Sequence, residues 1–238
     1  MMLEKSCAVV IGGTSGIGLA TARAFAAAGA DAVVVGRSAE RANAAIEGIS
    51  GRIRAEIADA GETAALAAVF ERLGQVDHLV LAASGGSGMG PVAELATESL
   101  RDGFEHKFWV HWNALKAALP SLAPSASITF VTAASSRMAN PGTAGLAAIN
   151  GAIDAMIRPL ARELAPRRVN AVSPGVIDTP WWDGMAEPQK AAVFEALAAR
   201  TAVGRVGCPE EVADAILSLA GNGYITGVIL DVNGGLSL

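Results

Sequence analysis

The sequence predicts an α/β fold, a single-domain, doubly wound seven-stranded parallel sheet, and three observations carry that expectation. Short β-branched runs alternate with Ala-rich helical stretches from end to end, the runs are continuously apolar, and a glycine-rich turn follows the first of them. Continuous apolar runs suit strands covered on both faces, and the alternation suits right-handed βαβ crossovers. In chain order the strand candidates are "CAVVI", "DAVVVG", "RIRAEI", "DHLVLAAS", "SITFVTA", "RRVNAVSP" and "GVILDV". No linker, repeat or low-complexity tract divides residues 1–238, so one domain is expected.

Composition narrows the function classes. Hydrophobic residues make up 52% and charged residues 17%, enough for a large core and too apolar for disorder. The net charge is -5 and the cations are scattered, so no basic stripe is offered to nucleic acid. Cys7 and Cys208 are far apart and suggest no disulfide framework, which fits a reducing cytoplasm. The start "MMLEKSCAVVIGG" reaches glycine after one short apolar run and has no secretory core. The uncharged stretch from Ala117 to Ser136 is broken by Pro120 and Pro124, so no membrane span is expected.

The first turn, "VVIGGTSGIGLATARAFAAAG", places Gly12, Gly16 and Gly18 where a strand passes into a helix. Glycines at that spacing let the backbone approach a pyrophosphate, and the helix N-terminus supplies free N–H groups and a positive dipole end. Thr14 and Ser15 add hydroxyls. A tight turn without a ligand has the same composition.

Further stretches add to this turn. "GGTSGIG", "RIRAEIADAGE", "VNAVSPGVIDTP", "GRVGCPEEVADAILSLA" and "YITGVILDVNGG" together resemble the classical short-chain dehydrogenase/reductase family over nearly the whole chain. The resemblance implies a Rossmann-like sheet and a dinucleotide site. Its residues would be Gly12, Thr14, Ser15, Gly16, Ile17 and Gly18 at the phosphates, and Asp59 at the adenine. Pro174, Gly175, Ile177 and Thr179 would lie at the nicotinamide. The family's Asn-Asn-Ala-Gly turn is here "AASG", which brings Ser84 and Gly85 into the site and loses the side-chain amides. At the end of the second strand stand Gly36 and Arg37, where an acid would read a ribose 2'-hydroxyl. Arg37 can instead hold a 2'-phosphate, pointing to NADP(H). NAD(H) stays open, because Arg37 and Arg41 are also ordinary charges at a helix start.

The reacting end departs from the family. The resemblance implies a Tyr and a Lys at 146 and 150, a Ser at 133 and an Asn at 107, and the chain has Leu146, Asn150, Ala133 and Lys107. The sole tyrosine, Tyr224, belongs to the last-strand segment. Asn150 can still bond a ribose hydroxyl. Lys107 is the first substitute for acid-base work, since burial can lower an ammonium pKa; alternatively it bridges main-chain carbonyls or points outward. Ser135 is a second candidate, with Ser136 beside it, if their loop curls inward; both can equally be turn formers. Thr132 lies close by. His106 and His111 lack carboxylates or cysteines at ligand spacing, so no metal site is read. Asp154 is expected at a helix interface.

The segment "DTPWWDGMAEPQKAAVFEALAARTAVGRVG" is long enough to act as a lid at about residues 180–205. Its Trp181 and Trp182 can stack on a small-molecule ligand or pack against the rim. The helices flanking the fifth strand resemble those that assemble family dimers and tetramers, so a homodimer or homotetramer is expected. Three functional readings follow. The first is an atypical NADP(H)-binding oxidoreductase acting on a small carbonyl or alcohol by a non-standard mechanism. The others are a catalytically silent NADP(H)-binding subunit or sensor, and a non-redox lyase or isomerase on the same fold.

Overall fold

A computed structural model describes residues 3–238. Its strands are β1 Cys7–Ile11, β2 Asp31–Gly36, β3 Ile53–Ile57, β4 Val76–Leu81, β5 Leu122–Val131, β6 Arg168–Pro174 and β7 Ile229–Val232. They form one parallel sheet in the order β3-β2-β1-β4-β5-β6-β7. All seven expected strands are present. β5 starts earlier than its apolar pattern suggested, because Arg167 donates to the carbonyls of Leu122 and Ala123 and holds that segment against the sheet.

The continuous apolar runs are explained by two cores. Val9 and Ile11 of β1 face one side, with Phe70 of α3 (Thr63–Leu73), Leu115 of α5 (Val110–Ala118) and Ile153 and Ile157 of α6 (Ala144–Glu163). Ala8 and Val10 face the other, with Phe25 of α1 (Gly16–Ala27) and Val212 and Ile216 of α8 (Pro209–Gly221). Alternate residues of one strand thus enter opposite cores, as the two-residue period of a strand requires. Helix α2 (Ala39–Ile46) packs beside β2 and β3.

The chain order reverses between β1 and its neighbour β4, which opens a crevice at their carboxyl ends. The glycine-rich turn after β1 and the "AASG" loop after β4 both emerge there. Helix α4 (Thr97–Gly103) continues through a π-helical turn, Phe104–Trp109, into α5. That irregularity was not expected from the sequence. Such turns occur often at functional sites, because the added residue redirects a side chain. Residues 180–205 include a short 3-10 turn, Pro180–Trp182, and helix α7 (Glu187–Ala198), and neither element has a buried residue. Among the described residues no helix is long and apolar enough to cross a membrane.

Candidate functional site: a phosphate cradle beside a buried lysine

The cradle is built by close backbone approach. A Cβ on Gly18 would lie 2.2 Å from the Gly12 carbonyl oxygen, so only glycine lets α1 start so near β1. Gly16 has φ +51°, and its missing side chain would point at Thr179, 3.3 Å away, so the turn faces the segment that follows β6. Ser15 is the N-cap of α1 but its hydroxyl makes no capping bond, and no acid occupies the first turn. The helix therefore presents uncompensated N–H groups flanked by Thr14, Ser15 and Ile17, an arrangement that can hold an anionic phosphate. The donor set fits a dinucleotide pyrophosphate.

The other expected cofactor residues surround this turn. Gly36 ends β2, and a Cβ there would meet the Thr14 methyl at 2.5 Å, which disfavours an acid at that position. Arg37 follows, exposed and without an ion pair or side-chain hydrogen bond among the described residues. Asp59 lies exposed after β3, where one carboxylate oxygen accepts from the Gly61 N–H at 2.9 Å and shapes the turn. Ser84 is exposed, and Gly85 packs so closely on His106 that a Cβ would come within 2.8 Å of it. Pro174 ends β6, Gly175 lies against Asn233, and Ile177 is buried with its carbonyl accepting from the Trp182 indole at 3.0 Å.

At the inner end stands Lys107, only 8% exposed on the π turn, with Nζ donating to the Thr132 carbonyl at 3.4 Å. It therefore points inward and touches a main-chain carbonyl, combining two of the placements considered from sequence. Burial pushes its pKa down to about 8, opposed by the negative charge of Asp154. His111 is fully buried, and its Nε2–H donates to the Ala83 carbonyl at 2.8 Å. Burial and the Lys107 charge push its pKa to about 3, so it is neutral and ties α5 to the loop after β4. His106 is exposed and bonds the Asp102 carbonyl, and no group of metal-ligating side chains forms among the described residues.

The paired serines are each bound to α6. They sit on a 3-10 turn, Ala134–Ser136, after β5. Ser135 Oγ accepts from Asn150 Nδ2 at 3.2 Å, and Ser136 Oγ donates to Asp154 Oδ2 at 2.6 Å. Asn150 and Asp154 are one helical turn apart, so two serines in succession meet one face of α6. Ser136 has committed its only hydrogen, whereas the Ser135 hydroxyl still has one to donate. The Thr132 hydroxyl is turned away, toward the Val172 carbonyl, and Ala133 has none. Three buried polar atoms in this region have no partner among the described residues: Asn150 Oδ1, Asp154 Oδ1 and His111 Nδ1. Sequence reasoning had set Asp154 aside as a helix-interface residue; the signal available was its position four residues after Asn150.

Residues 180–205 are fastened by several contacts. Trp182 packs edge-on against Trp181 and Phe194, Lys190 pairs with Asp178 at 2.9 Å, and Arg200 donates to Asn140 Oδ1 at 2.6 Å. Trp181 itself remains 44% exposed.

Burial of Lys107 makes a stability prediction. With a folded pKa near 8 against an ordinary 10.5, the unfolded chain binds the extra proton between those values, so stability rises with pH across that window. At about 1.4 kcal/mol per pH unit the rise amounts to about 3 kcal/mol. Chemical denaturation of wild type and Lys107→Met from pH 7 upward should show that component in the wild type and lose it in the variant. Parallel curves would contradict the burial of an ionisable amine.

Comparison with known proteins places this site in a family. The family described as enoyl-(acyl carrier protein) reductase matches residues 12–237. The chain is 32% identical to the short-chain dehydrogenase/reductase ATR9 of Stachybotrys chlorohalonatus, over 97% of this chain and 96% of the relative. It is 33% identical to the galactitol 2-dehydrogenase (L-tagatose-forming) of Cereibacter sphaeroides, over 99% and 96% respectively. A crystal structure of a small-chain dehydrogenase in complex with NADPH superposes with a TM-score of 0.83 at 31% identity, covering 98% of this chain and 99% of that one. The cradle, the sheet order and these matches together mean that the chain belongs to the short-chain dehydrogenase/reductase family.

Proposed function

We propose that the protein is an NADP(H)-dependent oxidoreductase of small carbonyl or alcohol compounds in which Lys107, not a tyrosine, handles the proton. The observation that carries this reading is the buried amine of Lys107, whose Nζ reaches only the Thr132 carbonyl among the described residues; burial lowers its pKa to about 8, which leaves both protonation states accessible near neutrality. A general acid or base works best when its pKa lies near the working pH. The nicotinamide, when bound, supplies or accepts the hydride.

The chain's own residues do the rest. Gly12 to Gly18 and the N-terminus of α1 hold the pyrophosphate, Asp59 meets the adenine, and Arg37 neutralises the 2'-phosphate. NADPH in the related crystal structure supports this choice of cofactor. Ser84, Gly85 and the segment from Pro174 through Gly175 and Ile177 to Thr179 enclose the nicotinamide end. The Oδ1 of Asn150, buried and unpartnered among the described residues, would accept a ribose hydroxyl once cofactor binding shifts the side chain, and Ser135 turns its free hydrogen toward the substrate oxygen. Leu146 replaces a phenol by an apolar surface, while residues 180–205 act as a lid whose tryptophans exclude water. The exposed Val228 and Leu230 along edge strand β7 support assembly with further copies as a homodimer or homotetramer.

A second reading, a silent NADP(H)-binding subunit, is favoured by one observation: the only tyrosine, Tyr224, is 99% exposed in the segment leading to β7. The two readings separate in one assay. Lys107→Met should lower NADPH oxidation across a panel of aldehydes and ketones at least about tenfold, with NADPH affinity unchanged. Unchanged turnover would remove Lys107 from the chemistry, and a wild type that binds NADPH without oxidising it would favour the silent reading. Arg37→Ala should weaken NADPH about 10- to 100-fold and NADH little, measured by nucleotide fluorescence. Equal losses would defeat the assignment of Arg37 to the 2'-phosphate.

A further inference from the structure

Lys107 is buried with a single long hydrogen bond, and a buried amine that gives up a proton must regain one. A route is indicated by Asp154, the carboxylate whose charge acts on the amine from α6, the helix that packs on the π turn. One of its carboxylate oxygens, Oδ2, is braced by Ser136, and the other, Oδ1, is buried and unpartnered. The same residue lines a cleft of about 430 Å³ with Arg137, Ala155, Arg158, Gly227 and Ile229. That cleft borders the start of β7, three strands from β4 in the sheet, and so lies away from the cradle.

We infer that Asp154 is the proton-exchange partner of Lys107, a positioning residue that links the buried amine to solvent in the cleft between Arg137 and Arg158. The inference rests on the reading that Lys107 handles the proton. No direct ion pair joins Lys107 and Asp154 among the described residues, so the transfer we infer requires a bridging water between Oδ1 and Nζ. The step is a proton transfer only. Hydronium in the cleft gives its proton to the carboxylate and leaves as water, the acid passes its proton inward through the bridging water to the neutral amine, and Asp154 returns to carboxylate as Lys107 becomes ammonium.

The surrounding charges make Asp154 decisive. Lys107 faces His111 from α5, which is neutral, and Asp154 from α6. Arg158 on α6 and Arg137 after the serine turn line the cleft, with Arg137 paired to Asp231 of β7. Glu105 and His106 on the π turn are exposed. Without Asp154 the side chains facing the amine carry no negative charge. The carboxylate's attraction is also what opposes the effect of burial on Lys107.

The test needs no substrate. The chain contains four lysines, Lys5, Lys107, Lys116 and Lys190, so a protein labelled with ¹³C at the lysine ε-carbons gives four resonances. Lys107 is assigned by its loss in Lys107→Met. In the wild type its signal should titrate near pH 8. Asp154→Asn should lower that midpoint by about one pH unit or more, and Ser136→Ala should lower it by less. Asp154→Ala should respond to added formate, which the two arginines attract into the space left, by recovering part of the shift; Asp154→Asn, with that space filled, should not. A Lys107 midpoint within about 0.3 pH unit of wild type in Asp154→Asn and Asp154→Ala, with no formate response, would overturn the inference. If Asp154→Asn fails to fold, Ser136→Ala and formate with Asp154→Ala still decide. The two claims fail separately. Unchanged turnover in Lys107→Met would sink the functional reading and leave the titration standing, whereas unmoved midpoints would sink the proton route alone.

Discussion

An ammonium ion taken out of water must be compensated by its surroundings or lose its proton, and the inner half of this site is organised by that constraint. Lys107 reaches its place because the helix between β4 and β5 makes a π turn at Phe104–Trp109. Around it stand a carbonyl, a neutral histidine, and one face of α6 carrying Asn150 and Asp154. The serines at 135 and 136 hold that face in register. Each element keeps a polar atom near the amine without forming a full ion pair, which leaves the lysine protonatable near neutrality instead of locked as a permanent cation.

The cradle and the reacting end obey different rules. At the cradle the requirement is steric: Gly18 cannot carry a Cβ beside the Gly12 carbonyl, and Gly36 has no room beside Thr14. At the reacting end the requirement is chemical, and the residue types can move. The family resemblance implies an amide at 107 and a cation at 150, whereas the chain has Lys107 and Asn150. One cation and one amide are thus retained with their helices exchanged, while the phenol position has become the apolar Leu146. Family membership fixes the scaffold, and the chemistry depends on the side chains placed upon it.

Much of this was legible in the sequence. The strands announced themselves as continuous apolar runs because both faces of the sheet are covered, and the glycine turn because close backbone approach has few solutions. The π turn was not legible, since "EHKFWVHWN" has an ordinary helical composition and nothing in it marks the change of hydrogen-bond register. Nor was the pairing of Ser136 with Asp154, because it depends on how a three-residue turn after β5 meets a helix that begins eight positions later. Asp154 looked like an interface residue for a sound reason: most carboxylates on a packed helix are. Its buried, unpartnered oxygen appears only in three dimensions.

The most direct test of the account is a titration of the purified protein with NADPH, followed in the same sample by carbonyl compounds while reduced nicotinamide is monitored across pH. The account predicts saturable binding, then oxidation that declines as pH rises through about 8, where Lys107 loses its proton. Oxidation that is indifferent to pH in that range would contradict a lysine proton donor, and a protein that does not bind NADPH would contradict the cradle on which the whole reading rests.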